Sequence, residues 1–203
     1  MAGPKPPQQL RAKRTRQHLL AAARRVFADK GYAGASIDDI AQAARCSKGA
    51  YYFHFASKED VLLALVDDWA QASLERLAQA VAAKGPEAQL RSVLNTLFAQ
   101  GERQSKERPL LLEFWSQAER NPNVARRLAQ ARQARRDLMV RAFRRAQRSG
   151  AFDTELSPEA AAELALSFHD GQVVQNGARG APWRGAKTAL ALLSRGSSLR
   201  DVG

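Results

Sequence analysis

The sequence predicts an all-α fold. Apolar residues recur at i, i+3, i+4 spacing along most of its 203 residues, and no segment shows the strict alternation of a strand. Capping pairs punctuate those stretches: Ser36 with Asp39, Ser57 with Asp60, Asn121 with Pro122, and Ser157 with Pro158. Apolar residues make up 45% of the chain, enough to bury a core.

Residues 1–14 hold Pro4, Pro6, Pro7 and several basic residues without periodicity, and read as a flexible basic arm. From Arg16 onward, Leu19, Leu20, Ala22, Ala23, Val26 and Phe27 make one apolar helical face, and Gly31 ends that helix. A short second helix spans 36–43. Its Ser36 hydroxyl and Asp39 carboxylate satisfy free N–H groups at the start, while Ile37, Ile40 and Ala41 face a core. After a break at Arg45-Cys46, Ser47 caps a third helix over 47–55. Ser57 and Asp60 open a long helix through VLLALVDDWAQASLERLAQAVAA. Beyond Gly85-Pro86 the pattern stays helical, punctuated by Pro109, Pro122, Pro158 and Pro182, and Gly150 stops an Arg-rich helix. Nine helices are expected, the last over 182–195. The expected domains are the arm at 1–14, a small domain at 15–62 and a larger one at 63–203.

The formal net charge is +12. Residues 1–60 carry 11 Lys and Arg against five Asp and Glu, whereas the other 143 carry 21 against 15. The excess per residue is therefore more than twice as high at the N-terminal end, which directs an anionic partner there. One cysteine, Cys46, excludes an intrachain disulfide and a cysteine metal cage, and suits a reducing cytoplasm. The first 16 residues lack the apolar centre of a secretory signal, and no apolar run approaches the roughly 20 residues of a membrane span. A cytoplasmic protein with no membrane partner is expected.

Helix, turn and helix at 36–55 make the motif that lays its second helix in the major groove of DNA. The segment CSKGAYYFHFASKED fits that task. Tyr51 and Phe55 lie four residues apart on one face and are expected to pack inward on Ile37, Ile40, Val26 and Phe27. Gly49 and Ala50 let the backbone approach base edges. Lys48, Tyr52 and His54 are expected to face the nucleic acid, and Phe53 fits either side. Lys58, in the first turn of the next helix, adds to an anion site. The arm, with Lys5, Arg11, Lys13, Arg14 and Arg16, reads equally as a minor-groove element or a plain tail.

From Arg16 to Leu65 the chain resembles the DNA-binding domain of the TetR family of bacterial transcription regulators. The resemblance is carried by LLAAARRVFADKGY and ASIDDIAQAARCSKGAYYFHFASKEDVLLAL. It implies three N-terminal helices that bind DNA and a larger helical C-terminal domain that dimerises and usually binds an effector. By position it places Lys48, Gly49 and Tyr52 near bases, and Ser36, Ser47, Tyr52, His54 and Lys58 near phosphates. The sequence departs from the family at Cys46, usually valine, and at Tyr51, usually a smaller apolar residue.

The stretch LLLEFWSQAERNP resembles a subgroup of the same family. Phe98, Phe114, Trp115, Phe143, Phe168, His169 and Gln172 are the candidates to line an effector pocket, against the plain reading that aromatic residues at helical spacing are core. The resemblance also implies a homodimer through the last two helices, where Ala161, Ala162 and Ala165 allow close approach. The run Arg126, Arg127, Arg132, Arg135, Arg136, Arg141, Arg144, Arg145 and Arg148 reads as a solvated face. The implied function is a ligand-responsive repressor on a palindromic operator. The alternative is a DNA-binding protein without effector control. No enzyme, metal or cofactor is expected: His18, His54 and His169 have no partners at catalytic or ligand spacing. GAPWRGAKT at 180–188 imitates a phosphate loop, but Ala186 separates Gly185 from Lys187 and no strand precedes it.

Overall fold

The structure, a computed structural model of the chain, describes residues 8–98, 102–152 and 156–175. Among the described residues there are eight α-helices and no strand. They are α1 (Gln8–Gly34), α2 (Ile37–Ala43), α3 (Lys48–His54), α4 (Lys58–Val81), α5 (Pro86–Phe98), α6 (Glu102–Ala118), α7 (Pro122–Arg148) and α8 (Pro158–Gln175). The ninth helix expected over 182–195, and the phosphate-loop imitation at 180–188, lie outside the described residues.

The expected caps form. Ser36 Oγ accepts from the Asp39 amide at 3.0 Å, and Asp39 Oδ2 accepts from the Ser36 amide at 2.9 Å. Ser57 and Asp60 repeat this reciprocal pair ahead of α4 at 3.0 and 3.1 Å. Asn121 Oδ1 accepts from the amides of Asn123 and Val124, and Ser157 Oγ from Ala160, each with proline as the first helical residue. Gly150, at φ 73°, takes the left-handed conformation that ends α7.

One boundary differs from expectation. Residues 8–14 of the predicted arm are helical, because α1 begins at Gln8. After Pro7 the stretch QQLRAKR contains only strong helix formers, whose backbone preference needs no apolar periodicity to act. Gly31, at φ 70° and ψ 165°, breaks the helical path of α1 as expected.

The chain divides into two compact units, Met1–Trp69 with Pro109–Arg127, and Ala70–Arg108 with Leu128–Gly203. In the first, α1, α2 and α3 pack together around Leu19, Ala23, Phe27, Ile40 and Tyr51, all buried. Arg16 lies 5.1 Å from the Phe55 ring centroid, a cation on an aromatic face. The first turn of α4 meets the start of α7, where Glu59 accepts from the side-chain amides of Asn121 and Asn123.

In the second unit, Leu90, Val93 and Leu94 of α5, Met139 and Phe143 of α7, and Ala161, Ala162, Ala165 and Leu166 of α8 form one core. The three alanines offered for close approach between chains are thus fully buried within a single chain. The Arg run is likewise not simply a solvated face. Arg132 pairs with Glu163 and Asp170, Arg136 with Glu163 and Arg144 with Glu159, a ladder between α7 and α8, while Arg135 is buried. The acids that receive these arginines lie more than ten residues away in sequence, beyond the reach of helical spacing.

Hydrogen bonds from Lys30 and Ser36 hold the Asp39 carboxyl well below the usual carboxylate range. A depressed folded-state pKa means its stabilising effect is complete above about pH 4 and fades as pH falls. Urea melts of wild type and Asp39→Asn should therefore differ most at about pH 6, and the difference should shrink steadily as pH falls below about 4. A difference that stays constant with pH would show that the ionised carboxylate is not what stabilises the cap.

Candidate nucleic-acid interface

The turn between α2 and α3 is closed by backbone bonds from Ala44 to Ile40 O (2.9 Å) and from Cys46 to Ala41 O (3.0 Å). Arg45 sits in this turn at φ 53°, left-handed although it carries a side chain. Ser47 then caps α3, its Oγ accepting from the Ala50 amide at 3.1 Å.

Two α3-segment rings face inward. Tyr51 is fully buried and donates its hydroxyl to Ser57 O at 3.0 Å; Phe55 is 5% exposed, its ring 6.0 Å from that of Tyr51. Burial pushes the Tyr51 hydroxyl pKa upward, so it stays a donor. The opposite face is open. Tyr52 is 49% exposed and Phe53 77%. Ser36, Ser47, Lys48 and Gly49 are also exposed, and His54 is half-buried with its ring edge-on to Phe53 at 5.0 Å. Phe53, ambiguous in the sequence, is one of the most exposed large apolar groups among the described residues.

The polar candidates are not equally available. Lys48 pairs with Asp38 at 2.9 Å across exposed surface, and that hydrogen bond raises its pKa. Such a pair, worth about 0–1 kcal/mol, exchanges readily for a phosphate or a base edge. The Ser36 hydroxyl donates to Asp39 Oδ2 while accepting from the Asp39 amide, so it is occupied by the cap. Lys58 is half-buried: its Nζ donates to Tyr32 O and Ala35 O, both at 2.7 Å, and stands 4.5 Å from the Tyr32 ring centroid. It ties the end of α1 to the start of α4, and two of its three donors are committed.

Gly49 is informative. A Cβ added there would meet only Ser47 Oγ, at 3.8 Å, and its φ is not positive. Nothing inside the chain requires a glycine at this exposed position.

The seven pocket candidates fall in different units. Phe114, fully buried and 6.3 Å from the Trp69 ring, and half-buried Trp115 belong to the first. Phe143, fully buried against Phe152 at 5.1 Å, is core of the second. Phe168 packs at the edge of that core, and the side chain of Phe98 lies outside the described residues. His169 holds Leu97 O through Nδ1 at 2.9 Å, and burial lowers its pKa. Gln172 is 2% exposed, and neither polar atom of its amide has a hydrogen-bond partner. Arg135 is 5% exposed, a burial that its place in a run of arginines does not reveal in the sequence.

Among the described residues no cluster of His, Cys, Asp or Glu is arranged to hold a metal, and no helix is long and apolar enough to cross a membrane.

Comparison with known proteins adds to this geometry. Residues 19–65 match the family model for bacterial regulatory proteins of the tetR family, and residues 86–196 match that for the C-terminal part of BetI-type transcriptional repressors. The chain is 47% identical over 60 residues to the A-factor receptor protein of Streptomyces griseus, covering 30% of this chain and 22% of that protein. It is 38% identical over 88 residues to the transcriptional repressor AcnR of Corynebacterium diphtheriae, covering 43% and 42%. It thus spans less than half the length of either relative. A TetR transcription regulator from Haloarcula marismortui shares the fold at a TM-score of 0.81 and 21% identity, over 90% of this chain and 98% of that one.

The two lysines should separate in a stability measurement. Lys58→Met removes charge-assisted bonds to two carbonyls and should lower the unfolding free energy by about 2 kcal/mol, while Lys48→Met should change it by less than about 0.5 kcal/mol. Equal effects in chemical denaturation would refute the distinction.

Proposed function

The chain belongs to the TetR family of bacterial regulatory proteins, and on that premise we propose that it is a ligand-responsive transcriptional repressor that binds a palindromic DNA operator as a homodimer. The single observation that carries the reading is the two-faced third helix: Tyr51 buried, with Lys48, Gly49, Tyr52 and Phe53 exposed beside it.

In this reading α3 enters the major groove. Lys48 leaves Asp38 for a guanine edge or a phosphate. Gly49 lets the backbone approach the base edges, Tyr52 meets the groove wall with ring and hydroxyl, and Phe53 meets a thymine methyl. Ser47 and His54 donate to phosphate oxygens, which fixes register without reading sequence. Ser36 and Lys58 act there mainly by position and charge, since their hydrogen-bonding groups already serve the fold. Two such heads must present their α3 helices about 34–36 Å apart, one turn of DNA, and an effector that favours another separation releases the operator. The protein is proposed to act in the cytoplasm as a regulator, not as a catalyst. The alternative is DNA binding without effector control, which a closed, fully packed C-terminal core would favour; the unmatched amide of Gln172 supports the effector-controlled reading.

The test is binding to a palindrome upstream of the chain's own gene, followed across salt concentrations. Gly49→Ala should leave folding intact or raise stability by about 0.5–1 kcal/mol, yet weaken operator binding. Tyr52→Ala should abolish specific binding without changing oligomeric state, and Lys48→Ala should also reduce the salt slope by about one. Full operator affinity in Gly49→Ala and Tyr52→Ala would exclude α3 as the reading element.

A further inference from the structure

The inner face of α8 carries one group that the fold leaves unanswered. Ala161, Ala162, Ala165 and Leu166 are buried in the core with α5 and α7, and the same face continues through His169, Gln172 and Val173. Gln172 is 2% exposed, and both its amide nitrogen and its amide oxygen lack a hydrogen-bond partner. A buried amide in that state is uncommon, because each unmatched atom forgoes the water it binds in the unfolded chain. A leucine or methionine would fill this position with no such loss.

The polar groups beside it in α8 are already engaged. His169, one turn back, holds Leu97 O through Nδ1 at 2.9 Å, and Asp170 pairs with Arg132. The Val173 carbonyl accepts from Arg108 Nε at 2.9 Å. These bonds tie this end of α8 to the end of α5 and to α6. None of the three groups turns toward Gln172 without giving up a bond of its own. The two unmatched atoms then restrict what can answer them. A carboxylate would meet the amide N–H but set an oxygen against Oε1. An ammonium would meet Oε1 but turn its charge on the N–H. A group with a donor and an acceptor side by side, as in a carboxamide, a lactam, a urea or a nucleobase edge, matches both at once. This holds whichever end of the amide carries the nitrogen, because both ends are unmatched.

We propose that Gln172 is the polar anchor of the effector site, and that the effector is a neutral molecule whose amide-like edge pairs with the Gln172 amide through two hydrogen bonds. The inference rests on the effector-controlled reading above and gives it a ligand class. The apolar body of the ligand would lie toward Leu97 of the core and Phe168 at its edge. A neutral ligand also reaches a buried site without stripping water from a charge.

Probes with the same eight-carbon chain, octanamide, octanoate and octylammonium, test the head group on the whole chain by calorimetry and thermal melting. N,N-dimethyloctanamide, which keeps the carbonyl and lacks the donor, completes the set. Octanamide should raise the melting midpoint and bind at least about tenfold more tightly than each of the others. Gln172→Leu should raise the midpoint of the unliganded protein, because it removes the unmatched amide, and should weaken octanamide at least about tenfold. Gln172→Met, closer in length, should do the same and guards against a packing defect in the leucine variant. Failure of octanamide to bind, equal binding of octanoate or the dimethyl amide, or octanamide affinity indifferent to both substitutions would overturn the proposal. A lower midpoint in both variants would show that the fold itself matches the amide, and would overturn it as well. Operator binding with and without each probe separates the two readings. If octanamide binds through Gln172 but leaves operator affinity unchanged, effector control falls and the amide site stands. If octanoate or octylammonium alone releases operator, effector control stands and the amide site falls.

Discussion

The first unit depends on the burial of one phenol ring. A helix of seven residues such as α3 cannot persist in water on its own hydrogen bonds, because nucleation consumes most of what so few bonds return. Tyr51 supplies the missing free energy from outside the helix. Its ring is sealed in the core beside Phe55, and its hydroxyl ends on Ser57 O rather than in an apolar void. Both properties matter. A phenylalanine would leave a backbone carbonyl unmatched, and a leucine would fill less volume. With this anchor set, the other face of α3 is relieved of any duty to the fold and can carry Tyr52, Phe53 and a bare backbone at Gly49.

The second unit solves a different problem. Its helices are rich in arginine, and the alanines of α8 are buried in a core shared with α5 and α7, with charged residues at its rim. Arg132, Arg136 and Arg144 answer with Glu159, Glu163 and Asp170 of α8. Exposed pairs of this kind contribute little energy individually, and here they leave the charged rim of the core matched across α7 and α8. Arg135 lies on the same helix yet turns inward.

Much of this was legible in the sequence, for identifiable reasons. The caps at Ser36, Ser47, Ser57, Asn121 and Ser157 are local signals, and local chemistry decides them. The split between Tyr51 and Phe55 on one side and Lys48 and Tyr52 on the other follows from helical period alone. What stayed hidden depends on residues far apart in sequence. Lys58 looks like a free cation until the carbonyls of Tyr32 and Ala35 arrive beside it. Arg135 is indistinguishable from its neighbours until α8 packs. The left-handed backbone of Arg45 leaves no trace at all, because glycine or asparagine usually announces that conformation. The helical start at Gln8 was obscured by judging a segment on apolar period when propensity was enough.

Three consecutive residues at the start of α4 each hold a different element. Ser57 receives the hydroxyl of Tyr51, Lys58 grips the end of α1, and Glu59 binds the asparagines that open α7. The third helix therefore has no independent hinge. Displacing this one helical turn disturbs three packed elements at once, so the pose of α3 within its unit is set by α4 as much as by the residues of α3 itself.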